Sequence, residues 1–184
     1  RRETLHQDVK PDNLFITQTG QLKLIDFGSA TVGSISENLN LRAGAAEYAA
    51  PEYALGVARD GRADQFSLAV TFYELLTGHY PYGDHYLAAK TPNQFRKLQY
   101  TSACKHNPHV PLWLDAALAR ALSLNPEHRY PELSEFLIDL ERPNTHLTLK
   151  AKPWLEQNPL LFWQITCLLL LISNVIILFA WLKR

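Results

Sequence analysis

Near the start of the chain, Leu5-His6-Gln7-Asp8-Val9-Lys10-Pro11-Asp12-Asn13 gathers a carboxylate, an ammonium group and an amide into one short stretch. Pro11 fixes its own φ and restricts Lys10 before it, so the set is stiff as well as polar. Burying such groups is costly unless they hold something charged. Eighteen residues after Asp8, Asp26-Phe27-Gly28 sets a second carboxylate at the end of an apolar run. Two carboxylates and an amide that can converge suit a metal-bound polyphosphate. Mg²⁺ is a hard cation that takes a few carboxylate or amide oxygens and completes its shell with water and phosphate. Either aspartate alone would read as a turn residue or a cap. Together with Lys10 and Asn13, at this spacing, they favour the chemical reading.

The segments around these residues must hold them in place. Leu14–Thr17 and Leu22–Ile25 read as two short strands joined through Gln18-Thr19-Gly20-Gln21, a β-hairpin in which Gly20 is free to take positive φ. A stiff hairpin there sets the distance between Asn13 and Asp26. From Ser29 to Ala50 the chain is small and polar without a sustained period, which predicts a long loop. Residues 63–77 are apolar almost all round, so this helix belongs in the middle of a domain, ended by Gly78 and Pro81. Asp64 near its start suits a helix cap or the positive end of the macrodipole. One helix is expected near Pro92–Tyr100. Cys104-Lys105-His106-Asn107-Pro108-His109 offers three metal ligands where a structural zinc site needs four, and reads as an ordinary loop. Two amphipathic helices follow, opened by Pro111 and Pro131.

Residues 143–158 form a polar, proline-dotted linker. Residues 159–182 are then apolar enough, and at about 20 residues long enough, to cross a bilayer as a helix, with Trp163 and Trp181 near its two ends. Basic and acidic residues balance at eighteen each, so no global field favours nucleic acid as a partner. The two cysteines are far apart in sequence, which gives no disulfide framework and fits a reducing compartment. The chain contains no methionine, and we read it as a fragment of a longer protein.

These motifs, in this order, resemble the eukaryotic-like serine/threonine protein kinases over roughly residues 4–140. The resemblance implies a mainly helical α+β fold, the kinase C-terminal lobe with a small β-hairpin, over residues 1–142. It implies ATP and Mg²⁺ as cofactors and a protein as substrate. Asp8 would orient the substrate hydroxyl and accept its proton, and Lys10 would neutralise charge on the transferred phosphoryl group. Asn13 and Asp26 would hold the metal ions. Asp26 to Glu52 would be the activation segment, closing in Ala50-Pro51-Glu52. Glu52 would pair with Arg129, from the turn Leu124-Asn125-Pro126-Glu127-His128-Arg129, and Asp64 would bond the catalytic-loop backbone.

The sequence departs from the family in four places. Gln7 stands where the family has an arginine, and a neutral amide cannot anchor a phosphate as a guanidinium does. Activation is therefore expected not to depend on phosphorylation in the Ser29–Ala50 loop, and Thr31, Ser34 and Ser36 read as plain loop residues. Ala45 replaces a threonine hydroxyl that would bridge the catalytic acid and lysine. Ala69 replaces a glycine in the central helix. No glycine-rich loop, strand lysine or partner glutamate of the N-terminal lobe is present, so these residues alone are expected to bind ATP poorly and be inactive. The alternative is a membrane-anchored pseudokinase, a scaffold or regulator of a linked phosphatase. Glu47–Tyr53 and Asn158–Trp163 are similar to bacterial membrane-tailed kinases in which a metal-dependent phosphatase domain precedes the kinase. With the apolar run as a single-pass anchor in the inner membrane, the need of the catalytic motifs for cytosolic ATP leads us to expect residues 1–158 in the cytoplasm.

Overall fold

A computed structural model describes residues 4–32, 46–143, 163–167 and 169–174. The chain divides into two units, Arg1–Thr148 and Leu149–Arg184. The first opens with β1 (Thr4–Leu5), a 3-10 turn at Pro11–Asn13, and the hairpin β2 (Leu14–Ile16) and β3 (Leu22–Leu24). The hairpin register pairs Leu14 with Leu24 and Ile16 with Leu22, and Gly20 takes φ 78° in the connection. After a 3-10 turn at Phe27–Ser29 comes β4 (Thr31–Val32), which returns antiparallel to β1 with Leu5 opposite Thr31. The long loop read from Ser29 onward is thus ordered at its start. Two residues are too few to make a hydrophobic pattern, and the pairing partner of Thr31 lies 26 residues back.

From Pro51 onward the described elements of this unit are helices: α1 (Pro51–Leu55), α2 (Gly61–Thr77), α3 (His85–Ala88), α4 (Pro92–Lys97), α5 (Ala103–His106), α6 (Leu112–Ala121) and α7 (Leu133–Glu141). The core sits around α2, where Phe66, Ala69, Val70 and Tyr73 are fully buried and pack with Leu118, Leu122, Tyr130 and Phe136. A helix that buries residues on nearly every side has no polar stripe, which is why its sequence is apolar all round. Asp60 caps α2 by accepting from the Arg62 N–H at 2.9 Å, so Asp64, one turn in, is left for another partner. Gly78 closes α2 in the left-handed region at φ 70°. Pro111 precedes α6 as its cap residue rather than opening it, and α7 starts at Leu133, two residues after Pro131. The expected loop at Cys104–His109 contains the single turn α5, and the Cys104 thiol donates to the Val110 carbonyl at 3.2 Å.

In the second unit, residues 163–167 and 169–174 are helical. Among the described residues no helix is long and apolar enough to cross a membrane. The remainder of the expected span at 159–182 lies outside the described residues.

Candidate active site

Asp8, Lys10 and Asn13 converge. The Asn13 amide Nδ2 donates to the Asp8 backbone carbonyl at 2.7 Å and to Asp8 Oδ2 at 2.9 Å. Lys10 Nζ stands 3.1 Å from the other carboxylate oxygen, Oδ1. That contact is an ion pair without hydrogen-bond alignment, so Oδ1 keeps a lone pair for a further donor. Pro11 makes this local packing work, because it opens the 3-10 turn that carries Asn13 back over Asp8. Asp8 and Asn13 are buried and Lys10 is partly so, which strengthens the electrostatics among them.

Asp64 fixes the stretch from beneath. Its Oδ2 accepts from the His6 N–H at 2.6 Å and its Oδ1 from the Gln7 N–H at 2.8 Å. The second bond stands at a strained position, since Gln7 takes a positive φ of 65°. Burial pushes the Asp64 carboxyl above the ordinary carboxylate value, while the two backbone bonds act the other way. The Tyr53 hydroxyl is also pushed up, first by burial and then by the negative charge of Asp64, with smaller contributions that include Asp8. Tyr53 of α1 therefore lies within electrostatic reach of the same carboxylates.

The hairpin brings Asp26 to this group. Ile25 N–H donates to the Asn13 carbonyl at 2.9 Å, so Asp26 follows directly on the residue bonded to Asn13. Asp26 is exposed, takes the left-handed region at φ 61°, and accepts from the Gly28 N–H at 3.1 Å. A Cβ at residue 28 would stand 3.0 Å from Asp26 Oδ1, so any side chain there would press on that carboxylate. His6, which sequence reasoning passed over, ties the two motifs together. Its ring meets Phe27 edge-on at 4.7 Å between centroids, and its Nε2 lies 3.2 Å from the Ile25 carbonyl. A histidine beside a catalytic-type aspartate gives little sequence signal for such a contact, because the partner arrives from the far side of a hairpin.

Gln7 and Thr31 need correction. The Gln7 side-chain amide donates to the Thr31 hydroxyl, and Thr31 belongs to β4 rather than to a plain loop. The amide thus bonds a hydroxyl of the segment that follows Asp26. Ser34, Ser36 and Ala45 lie outside the described residues.

Glu52 and Arg129 meet in a bidentate ion pair, with Arg129 nitrogens 2.7 Å and 2.9 Å from the two Glu52 oxygens. The pair is almost fully enclosed, Glu52 at 3% and Arg129 at 2% exposure. Arg129 also donates to the Ser123 carbonyl at 2.8 Å and the Arg62 carbonyl at 2.9 Å, and lies over the Phe66 ring. One side chain thereby binds α1, the start of α2 and the turn before α7.

The donor set around Asp26 and Asn13 suits a hard cation. With its Nδ2 committed to Asp8, Asn13 has its carbonyl oxygen left to offer. Among the described residues no three His, Cys, Asp or Glu side chains form a metal cluster. A carboxylate and an amide oxygen are the hard donors that Mg²⁺ takes, with phosphate and water completing its shell.

Residues 1–139 match the family model described as protein kinase domain. The chain is 36% identical to the serine/threonine-protein kinase Pkn1 of Myxococcus xanthus over 143 residues, covering 73% of this chain and 20% of that protein. It is 35% identical over 141 residues to the serine/threonine-protein kinase PknB of Mycobacterium leprae, covering 75% and 22%. Against PknB of Mycolicibacterium smegmatis it is 34% identical over 143 residues, covering 75% and 23%. The chain spans about a fifth of the length of these curated relatives. With the family model matched over three quarters of its residues, the chain belongs to the protein kinase domain family.

Proposed function

We propose that the protein is a serine/threonine kinase that transfers the γ-phosphoryl group of ATP to a protein hydroxyl, with this chain supplying the C-terminal half of the active site. The observation that carries the reading is the convergence of Asp8, Lys10 and Asn13 on a backbone clamped by Asp64, beside the hairpin that presents Asp26. Phosphoryl transfer asks mainly for positioning and charge stabilisation, and these groups offer both. Asp8 Oδ2 is pinned by Asn13, leaving Oδ1 to orient the substrate hydroxyl and accept its proton. Lys10, beside Oδ1, balances charge on the group in transit. Asn13 and Asp26 would hold Mg²⁺, which supplies charge neutralisation at the phosphates when bound.

The experiment titrates Mg²⁺ in a γ-phosphate transfer assay of the full-length protein. Asp26→Asn should abolish transfer, and Asn13→Ala should raise the Mg²⁺ requirement at least tenfold, about 1.4 kcal/mol of metal binding. An unchanged Mg²⁺ curve in both variants would remove these residues from the metal site.

The same proposal includes an anchor. Residues 159–182 would hold the protein in the cytoplasmic membrane with residues 1–158 on the ATP-containing side, supported by the apolar run and the tryptophans near its ends. Release of the intact protein by alkaline carbonate would count against it. A phosphatase domain linked to the kinase rests on the likeness of Glu47–Tyr53 and Asn158–Trp163 to bacterial membrane-tailed kinases. The pseudokinase reading draws on Gln7 and Ala45, which stand where the family has an arginine and a threonine.

A further inference from the structure

Among the described residues, the non-glycine positions with positive φ are Gln7 at 65° and Asp26 at 61°. The first adjoins Asp8, and the second is itself the other carboxylate of the site. A non-glycine residue in the left-handed region costs free energy and persists only where its surroundings hold it. The backbone of Gln7 is held by the bond from its N–H to Asp64. Asp26 is held through the residues on either side of it.

Before it, Ile25 is fixed by its bond to the Asn13 carbonyl, and its own carbonyl lies 3.2 Å from His6 Nε2. After it, the 3-10 turn Phe27–Ser29 closes with Ala30 N–H donating to the Phe27 carbonyl at 3.0 Å. Thr31 follows at once and pairs with Leu5 across the β1–β4 ladder. That ladder is two residues long on each side, and so short a pairing is marginal by itself. The Gln7 amide adds a bond across it by donating to the Thr31 hydroxyl. Gln7 thereby ties the Asp8 loop to the far end of the short turn that begins at Asp26.

This bond is held in a costly form. Gln7 is 8% exposed, and its Oε1 is buried without a hydrogen-bond partner among the described residues. A buried acceptor left without a donor carries a penalty that an aliphatic side chain of similar length would avoid. Local costs of this kind gather where position matters more than stability. We infer that Gln7 and Thr31 are positioning residues, whose hydrogen bond keeps Asp26 in the left-handed conformation from which it would hold Mg²⁺ together with Asn13. The inference rests on the kinase reading for what Asp26 holds.

The test uses the full-length protein, Mn²⁺ as the probe metal and the β,γ-imido analogue of ATP. Bound Mn²⁺ is read by electron spin resonance, at a temperature where circular dichroism shows every variant folded. Thr31→Val keeps the shape of the side chain and removes the hydroxyl. It should weaken Mn²⁺ binding about threefold to tenfold, the range for loss of one hydrogen bond. Thr31→Ser keeps the hydroxyl and should bind within about twofold of wild type. Gln7→Leu should weaken binding as much as Thr31→Val, and the two together no more than either alone, because they break the same bond. Should the paired variant fail to fold, the contrast between Thr31→Val and Thr31→Ser decides. Unchanged Mn²⁺ affinity in Thr31→Val, whatever its loss of stability, makes the contact merely structural and overturns the inference. Losses that add in the paired variant overturn it as well. Phosphate transfer from ATP is followed on the same proteins. A hydroxyl-dependent Mn²⁺ affinity without transfer by the wild type supports the positioning pair and counts against the kinase reading instead.

Discussion

Removing Arg129 gives the sharpest stability prediction, because its surroundings are fully specified. Arg129→Met keeps much of the side-chain volume over Phe66 but leaves the Glu52 carboxylate at 3% exposure with its bidentate partner gone. Stranding one partner of a buried pair costs about 3–5 kcal/mol, a large share of the roughly 5–15 kcal/mol that holds a typical domain together. Replacing both partners behaves differently. Glu52→Leu with Arg129→Met removes the stranded charge, but the Ser123 and Arg62 carbonyls still lose their donor. The double variant should therefore remain destabilised by about 1–3 kcal/mol, less than the single one. Hydrogen exchange of the intact protein reads this locally. Amides of α1 and the first turns of α2 should exchange faster by roughly two to three and a half orders of magnitude in Arg129→Met. An acceleration under about fivefold, or a double variant as labile as the single, would refute the argument that the clamp matters through its buried charge.

Three other perturbations probe the catalytic loop and the segment that follows it. Thr31→Val removes the acceptor of the Gln7 amide and should cost about 1–3 kcal/mol in thermal or urea unfolding. Ser34→Ala with Ser36→Ala should leave phosphate transfer unchanged, and a collapse of activity would show that loop phosphorylation is the switch after all. Asp64→Asn replaces two acceptor oxygens by one, setting an NH₂ group against a backbone N–H, and should cost about 1–3 kcal/mol with faster exchange at His6 and Gln7. Asp64 also predicts a pH dependence. Its folded carboxyl titrates above the unfolded one, so the folded state keeps that proton to higher pH. Relative to Asp64→Asn, wild-type stability should fall as pH rises from the ordinary carboxylate value through the raised one, and then stay level. The opposite slope would show that the two backbone bonds outweigh burial.

Much of the site was legible before any coordinates, because its chemistry is local in sequence. Asp8, Lys10 and Asn13 fall within six residues, and the hairpin that carries Asp26 has a short connection with Gly20 at its corner. The Glu52–Arg129 and Asp64 contacts join residues 77 and about 57 positions apart, and nothing in composition or periodicity reaches that far. They were foreseen only through the family resemblance. What stayed hidden has a physical pattern. β4 is only two residues long, so its register with β1 depends on a partner and not on alternation. The bond from Gln7 to Thr31 depends on a positive φ at a glutamine, which side-chain type does not signal. The walls of the cavity lined by Glu47, Phe66, Tyr80 and Tyr86 come from α2, α3, the connection between them and the segment before α1, and only folding assembles them.

The central claim is that Asp8 is the base of a phosphoryl-transfer site. It is tested most directly by radiolabelled γ-phosphate transfer from ATP by the full-length protein, with Asp8→Asn compared at matched folding and expression. The account predicts incorporation into serine or threonine by the wild type and a loss of at least about a hundredfold in the variant, the range that removal of a positioned general base produces. Equal incorporation by the two proteins would contradict it.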